Sequence, residues 1–122
     1  MLPHKEPIIK QKSETFSIRV IKMYKYLISH KQERVLSKQI LRSGTSIGAN
    51  VNESKNAQST ADFISKLSIA LKEADETAYW LKCLYGGEYL TEKQFVSMNN
   101  DIQEIIKILA SIIKTTKERH IL

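Results

Sequence analysis

Several stretches of this chain repeat apolar residues at steps of three and four, the spacing that places them on one side of an α-helix. The first stretch covers about residues 13–29, with the stripe Phe16, Val20, Met23 and Leu27. The last covers about residues 91–117, with the stripe Phe95, Met98, Ile102, Ile105, Leu109 and Ile112. No stretch alternates apolar and polar residues as a half-buried strand would. The pattern predicts an all-α protein.

The second helical stretch, about residues 34–56, has small residues in its middle. Its stripe is Leu36, Ile40, Ile47 and Val51. Ser43 and Gly44 fill the gap in the stripe, and glycine inside a helix costs about 1 kcal/mol relative to alanine. The helix therefore either breaks here or admits a close neighbour. We favour close packing, because the apolar period continues beyond the gap.

The third stretch, about residues 60–84, lies between clear helix-end signals. Its stripe is Ile64, Leu67, Leu71, Ala74, Ala78 and Leu81. Ser59 is a candidate N-cap, and Gly86 and Gly87 form a plausible C-terminal stop. Thr91 and Gln94 have the spacing of a capping box for the last helix. The fold prediction is an antiparallel up-and-down four-helix bundle over residues 13–122, preceded by a flexible basic N-terminal tail over residues 1–12.

The second and third helices each carry a further stripe that a bundle core does not need. On the third helix it lies opposite Leu71, and on the second it lies opposite Ile40. The stripe on the third helix contains Ile69, Glu73, Glu76 and Trp80. The stripe on the second helix contains Arg42, Ser46, Ala49 and Glu53.

These two stripes have complementary chemistry. A face of small residues with an arginine suits docking against a face that has two glutamates and a tryptophan. We therefore expect one or both stripes to form a homo-oligomer interface. The alternative is that both are solvated and that Trp80 lies along its own helix, since single exposed apolar residues are common.

The charge of the chain is uneven. The 122 residues contain 19 Lys and Arg against 13 Asp and Glu, a formal net charge of +6. The basic excess lies in the first half, whereas the third helix is acidic. Either the two regions pair with each other, within or between subunits, or the cations bind nucleic-acid phosphates. The candidate phosphate contacts are Lys10, Lys12, Lys22, Lys25 and Lys38, with Arg42 as a further cation.

Residue types exclude several other classes. No uncharged apolar run has the length of a membrane span, and no signal peptide is expected at the N-terminus. The single cysteine, Cys83, favours a reducing, cytoplasmic setting. The three histidines, His4, His30 and His120, lack the spacing of a metal site, and no nucleophile–base pair is evident. We expect no enzyme activity, no metal and no cofactor.

Two blocks of the sequence resemble a known family. They are the stretches QILRSGTSIGANVNE at 39–53 and KLSIALKEADETAYWL at 66–81. Both are similar to the bacterial four-helix-bundle proteins encoded in intervening sequences of 23S rRNA. The pattern of that family falls on Arg42, Ser43, Ser46, Asn50, Glu53, Glu73, Glu76, Tyr79 and Trp80.

The resemblance implies an assembly and a class of partner. Members of this family form rings, which are pentamers in the known cases. A related protein, the accessory variability determinant of diversity-generating retroelements, is a basic pentamer that binds nucleic acid and a reverse transcriptase. We therefore expect a homo-oligomeric ring that contacts the phosphate backbone of RNA or DNA. We also expect it to serve a nucleic-acid enzyme such as a reverse transcriptase. The alternative is a protein-interaction scaffold, encoded in an rRNA intervening sequence, with no direct nucleic-acid role.

Overall fold

The computed structural model describes residues 5–120, which form four α-helices joined by short connections. The helices are α1 Lys5–Lys31, α2 Leu36–Ser54, α3 Thr60–Gly86 and α4 Glu92–Arg119. Each helix packs against the next one in the chain, and α4 closes the bundle against α1. Short connections between sequential neighbours make those neighbours antiparallel. The predicted all-α up-and-down bundle is confirmed.

The first helix begins earlier than predicted. We expected a flexible tail over residues 1–12, but α1 starts at Lys5, so this prediction is wrong for residues 5–12. Ile9 is only 2% exposed and continues the buried stripe of Phe16 toward the N-terminus. Pro7 does not prevent this, because the first turn of a helix does not use its backbone N–H groups. Residues 1–4 of the predicted tail lie outside the described residues.

The predicted caps of α3 and α4 are confirmed. The hydroxyl of Ser59 accepts a 3.0 Å hydrogen bond from the backbone N–H of Asp62. At the start of α4, the Thr91 hydroxyl accepts from the Gln94 N–H at 3.2 Å. The Gln94 side chain accepts from the Thr91 N–H at 2.9 Å, which completes the capping box. These contacts satisfy N–H groups that have no partner within their own helix.

The start of α2 is held by a glutamate in the connection between α1 and α2. Glu33 is buried, and its carboxylate accepts from the backbone N–H groups of Val35 and Leu36, both at 3.1 Å, and of Ser37 at 2.7 Å. Burial raises the pKa of Glu33, but the donated hydrogen bonds from Ser37, Leu36 and Val35 outweigh burial and lower it overall. This carboxylate therefore replaces the missing N-cap side chain.

The small residues in the middle of α2 permit close packing, and the helix is unbroken from Leu36 to Ser54. A Cβ on Gly44 would lie 2.8 Å from Val20 Cγ2 of α1. A Cβ on Gly48 would lie 3.0 Å from the Ser17 hydroxyl oxygen. The close-packing interpretation of this segment is confirmed.

The buried face of α3 is rotated relative to the predicted stripe. Of the six predicted residues, Ile64 and Leu71 are only partly buried. The buried set extends instead to Phe63, Ala70, Thr77 and Leu84. The Thr77 and Ser43 hydroxyls are hydrogen-bonded at 2.9 Å, so this rotation turns α3 toward α2. The apolar pattern alone missed the rotation, because small and polar residues line this side of the helix.

Candidate nucleic-acid interface and assembly face

The two additional stripes meet within one chain. Arg42 of α2 donates to Glu73 of α3 at 3.2 Å and also pairs with Glu76. The Trp80 indole N–H donates to the same Glu76 carboxylate at 2.9 Å. Arg42 thus bridges two glutamates one turn apart, and Trp80 is hydrogen-bonded to the second of them, Glu76. The charge complementarity noted in the sequence is satisfied inside the subunit.

The placement of these stripes corrects the expected geometry. The apolar periods predicted that each stripe lies opposite the core-facing side of its own helix. Because the buried face of α3 is centred nearer Thr77 than Leu71, the stripe with Glu73 lies beside the core, on the side toward α2. The stripe of α2 flanks the same helix pair. We call the combined surface the α2/α3 face, and it comprises Arg42, Ser46, Ala49, Glu53, Ile69, Glu73, Glu76 and Trp80.

The remaining residues of the α2/α3 face have local contacts. Glu53 pairs with Lys66 of α3 at 3.3 Å. The Ser46 hydroxyl donates to the backbone oxygen of Arg42 at 2.7 Å. Ala49 is exposed, and Ile69 is 41% exposed. The face therefore has a hydrogen-bonded polar centre with an accessible apolar residue beside it.

The predicted phosphate contacts do not all lie on one surface. Lys12 of α1 pairs with Glu104 of α4 at 2.7 Å. Lys22 is exposed and lines a groove between α1 and α4. Lys10 and Lys25 are exposed elsewhere on α1, and Lys38 is exposed on α2. Only Lys12 and Lys22 are brought next to α4.

Three further cations on α4 were missed in the sequence analysis. Lys93, Lys107 and Lys114 are exposed, and none forms an ion pair with any described residue. They are spaced by whole heptads, so they share one face of the helix. This spacing was visible in the sequence and would have identified the row. We call the surface formed by Lys12, Arg19, Lys22 and Lys93, together with Lys107 and Lys114 on the outward side of α4, the α1/α4 face.

Two acidic residues between α1 and α4 are already paired. Asp101 pairs with Arg19, and Glu104 pairs with Lys12. Arg19 also donates to the Ser97 hydroxyl at 2.8 Å, which fixes the guanidinium between the two helices. Beside these pairs, Lys22 and Lys93 have no anionic partner among the described residues.

The groove in the α1/α4 face has a volume of about 530 Å³. Its floor is apolar, and cations stand at its edges. Tyr26 lines one wall, with its ring stacked on the imidazole of His30 at a centroid distance of 5.1 Å. No acidic residue is among the described residues that line it, which are Arg19, Lys22, Met23, Tyr26, Leu90, Lys93, Gln94, Ser97 and Met98.

The described residues offer little to a metal ion or a nucleophilic reaction. Residues 5–120 contain no group of three or more His, Cys, Asp or Glu side chains that could hold a metal.

A hydrogen bond and a charge interaction with Cys83, together with slight burial, raise the pKa of the exposed Tyr79. His120 follows α4 and is exposed, whereas His4 lies outside the described residues. Over the same range, no helix combines the length and the hydropathy that a membrane span requires.

Comparison with known proteins gives a family and a solved structure. Residues 5–111 match the family model of the 23S rRNA-intervening sequence protein. The crystal structure of a protein of unknown function from the S23 ribosomal protein family of Bacteroides thetaiotaomicron is 57% identical. That match has a TM-score of 0.89 and covers 90% of this chain and 98% of the other. No curated protein matches the chain.

Proposed function

The chain belongs to the 23S rRNA-intervening sequence protein family, and we propose that it is a non-enzymatic, ring-forming bundle that binds the backbone of nucleic acid. The observation that carries this proposal is the row of unpaired lysines on the α1/α4 face. Lys22, Lys93, Lys107 and Lys114 have no described anionic partner, while the acids between them are occupied by Lys12 and Arg19.

Such a surface fits phosphates better than base edges. Lysine side chains on the outside of straight helices reach a polyanion as point charges, and binding releases the counterions that surround it. None of the described elements has the strand or zinc-finger geometry that reads bases in a groove. Binding is therefore independent of duplex sequence and falls with salt.

Assembly into a ring raises the effect of each lysine. We propose a homo-pentamer built through the α2/α3 face, with Ile69 and Trp80 as its apolar anchors. The ion pairs of Arg42 with Glu73 and Glu76 hold that face in one geometry before assembly, which lowers the entropic cost of association. Repetition of the α1/α4 face around the ring would multiply the phosphate contacts of a single subunit.

A ring of this kind suits an accessory role beside an enzyme that processes RNA or DNA. We propose a cytoplasmic complex in which the bundle holds nucleic acid for such an enzyme, for example a reverse transcriptase. The gene neighbourhood distinguishes the possible settings. An adjacent reverse transcriptase gene supports the accessory role, and a location inside a 23S rRNA gene supports the intervening-sequence class.

The direct test is fluorescence anisotropy of labelled RNA and duplex DNA against the purified protein over a series of salt concentrations. We expect micromolar or tighter binding that weakens steeply as salt increases. Absence of binding at low salt contradicts the proposal. A scaffold without a nucleic-acid role then becomes the better account, and the ion pairs Arg42–Glu73 and Lys66–Glu53 favour it, since both join α2 to α3.

A further inference from the structure

We propose that the groove between α1 and α4 seats an unpaired nucleobase, so that the protein prefers single-stranded to duplex nucleic acid. This inference rests on the proposed function, because the same surface must first attract the phosphate backbone. It adds a second component of recognition, which is contact with a base. The component comes from the shape and the chemistry of the groove rather than from its charge alone.

The floor and wall of the groove suit a flat ring. Met23, Leu90 and Met98 form the floor, and each is less than 9% exposed, so only their edges are open. Tyr26 provides an aromatic wall, and its stack on His30, in which the two rings are inclined by 20°, holds that ring in place. Stacking on an aromatic side chain is available to every base and does not require a particular sequence.

The edge of the groove presents donors. Lys22 and Lys93 carry unpaired ammonium groups, and Arg19 is held in place by Ser97 and Asp101. The Gln94 oxygen is used in the capping box, which leaves its amide N–H groups available. Phosphate oxygens and base carbonyls are acceptors, so these donors match an exposed nucleotide.

The lysine row extends the site along α4. Lys107 lies 14 residues beyond Lys93, and Lys114 follows 7 residues later. At a rise of about 1.5 Å per residue, the row runs roughly 30 Å from the groove along the helix. A strand whose base enters the groove can therefore keep its backbone on the same row of cations. A duplex could contact the row, but its stacked bases could not enter the groove.

An amphipathic acidic helix is the other occupant that the charge would suit. A helix in a groove needs several apolar anchors at i, i+3, i+4 and i+7. Here the apolar floor is three nearly buried side chains, one each from α1, α4 and the connection before α4, and no row of anchor sites runs along it. The observations therefore favour a single planar ring over the apolar face of a helix.

The test compares three labelled probes of equal length by anisotropy at one salt concentration. They are single-stranded oligothymidylate, its duplex with oligoadenylate, and an abasic oligomer with the same backbone. We expect the single strand to bind about tenfold more tightly than the abasic oligomer, within the range of stacking on one aromatic residue. We also expect it to bind more tightly than the duplex.

Two tyrosine variants assign the preference to the groove. Tyr26→Ala should remove the advantage of the single strand over the abasic oligomer and leave the affinity for the abasic oligomer unchanged. If Tyr26→Ala is poorly folded, Tyr26→Leu replaces it, because leucine keeps the apolar packing without the aromatic ring. We expect the same result from it. The matched control is Tyr24→Ala, which removes a partly exposed tyrosine of the same helix that does not line the groove, and it should change neither affinity.

The possible outcomes separate the two proposals. Failure of all three probes to bind overturns the proposed function. Equal binding of the three probes leaves that function standing and overturns the nucleobase site. A labelled glutamate-rich amphipathic peptide whose binding depends on Tyr26, when that of oligothymidylate does not, also overturns the nucleobase site and identifies the groove as a peptide site.

Discussion

Gly44 of α2 lies directly against the side chain of Val20 of α1. A Cβ at Gly44 would stand 2.8 Å from one Val20 methyl and 3.0 Å from the other, inside normal contact distance. Val20 is fully buried, and its β-branched side chain has little rotamer freedom in a helix. The spacing of α1 and α2 therefore depends on the absence of a side chain at Gly44.

This contact predicts that Gly44→Ala destabilises the protein. Alanine normally gains about 1 kcal/mol over glycine in a helix. Overpacking a well-filled core costs about 1–3 kcal/mol, and Val20 cannot turn away, so we expect a net loss of about 1 kcal/mol. Urea denaturation followed by circular dichroism measures the change.

The control is a glycine with free space around it. A Cβ on Gly86, at the end of α3, would meet nothing within 4 Å. We expect Gly86→Ala to be neutral or to stabilise the protein by up to about 1 kcal/mol. Equal effects of the two substitutions would show that helix propensity, and not contact with Val20, governs position 44.

The Glu33 carboxylate predicts a dependence of stability on pH. Its pKa is below the ordinary value of 4.5, so the charged form is favoured by folding. Its contribution is full above pH 4.5 and is lost as the pH falls through the lower pKa of the folded state. Glu33→Gln should cost about 1–2 kcal/mol at neutral pH, since a charged acceptor is removed from three N–H groups.

Thermal melts at several pH values separate this contribution from general acid denaturation. The difference in stability between wild type and Glu33→Gln should shrink as the pH falls from 5 toward 3. Glu14→Gln on the exposed part of α1 is a matched control, because Glu14 makes no hydrogen bond among the described residues. A constant difference between wild type and Glu33→Gln at all pH values would argue against capping by the ionised carboxylate.

Much of the fold could be predicted from the sequence, because its signals are local. The three–four spacing gave the helices, and Ser59 and the Thr91–Gln94 pair marked two of their starts. The start of α1 was missed because Pro7 and the basic residues around it suggested a flexible tail. The cap by Glu33 was missed because the carboxylate lies before the usual N-cap position and reaches forward to α2.

The surfaces were less predictable, since they depend on how the helices are rotated about their axes. The rotation of α3 toward α2 depends on the Ser43–Thr77 hydrogen bond and on small residues. Neither feature belongs to the apolar pattern from which the helix faces were predicted. The rotation brings Arg42 onto Glu73 and Glu76 of the same chain. The α1/α4 groove likewise joins residues far apart in the sequence, so no local motif identified it.

The lysine row predicts which face binds phosphate. The double substitution Lys22→Glu and Lys107→Glu should weaken binding of all sequences alike. The fall of log K with log salt should become shallower, with the magnitude of the slope reduced by about two, because each lost phosphate contact contributes about 0.9. Anisotropy titrations of duplex DNA at several salt concentrations measure both quantities.

A control with the same change in net charge tests the location. Lys72 and Lys82 are exposed on α3 and form no ion pair with a described residue. The double substitution Lys72→Glu and Lys82→Glu should leave most of the affinity for duplex DNA, and its dependence on salt, unchanged. If the two double variants lose affinity equally, binding responds to net charge and not to the α1/α4 face.

The α2/α3 face predicts which substitutions weaken the association of subunits. Arg42→Ala leaves Glu73 and Glu76 unpaired, so equivalent acidic faces should repel one another where subunits meet. The guanidinium is half exposed, with 50% side-chain accessibility, so its loss should cost the single subunit less than about 1 kcal/mol. Trp80→Glu should have a larger effect, because it puts a charge where an aromatic anchor is proposed.

Light scattering at tens of micromolar protein gives the oligomeric state of each variant, and denaturation shows whether the subunits remain folded. Both α2/α3 variants should shift the mass toward the monomer. The matched control is Ile21→Glu on α1, which changes a residue as exposed as Ile69, at 40% against 41%, on a different helix. If Ile21→Glu dissociates the assembly and Trp80→Glu does not, subunits meet through α1, and the Arg42 network serves only the fold of the single subunit.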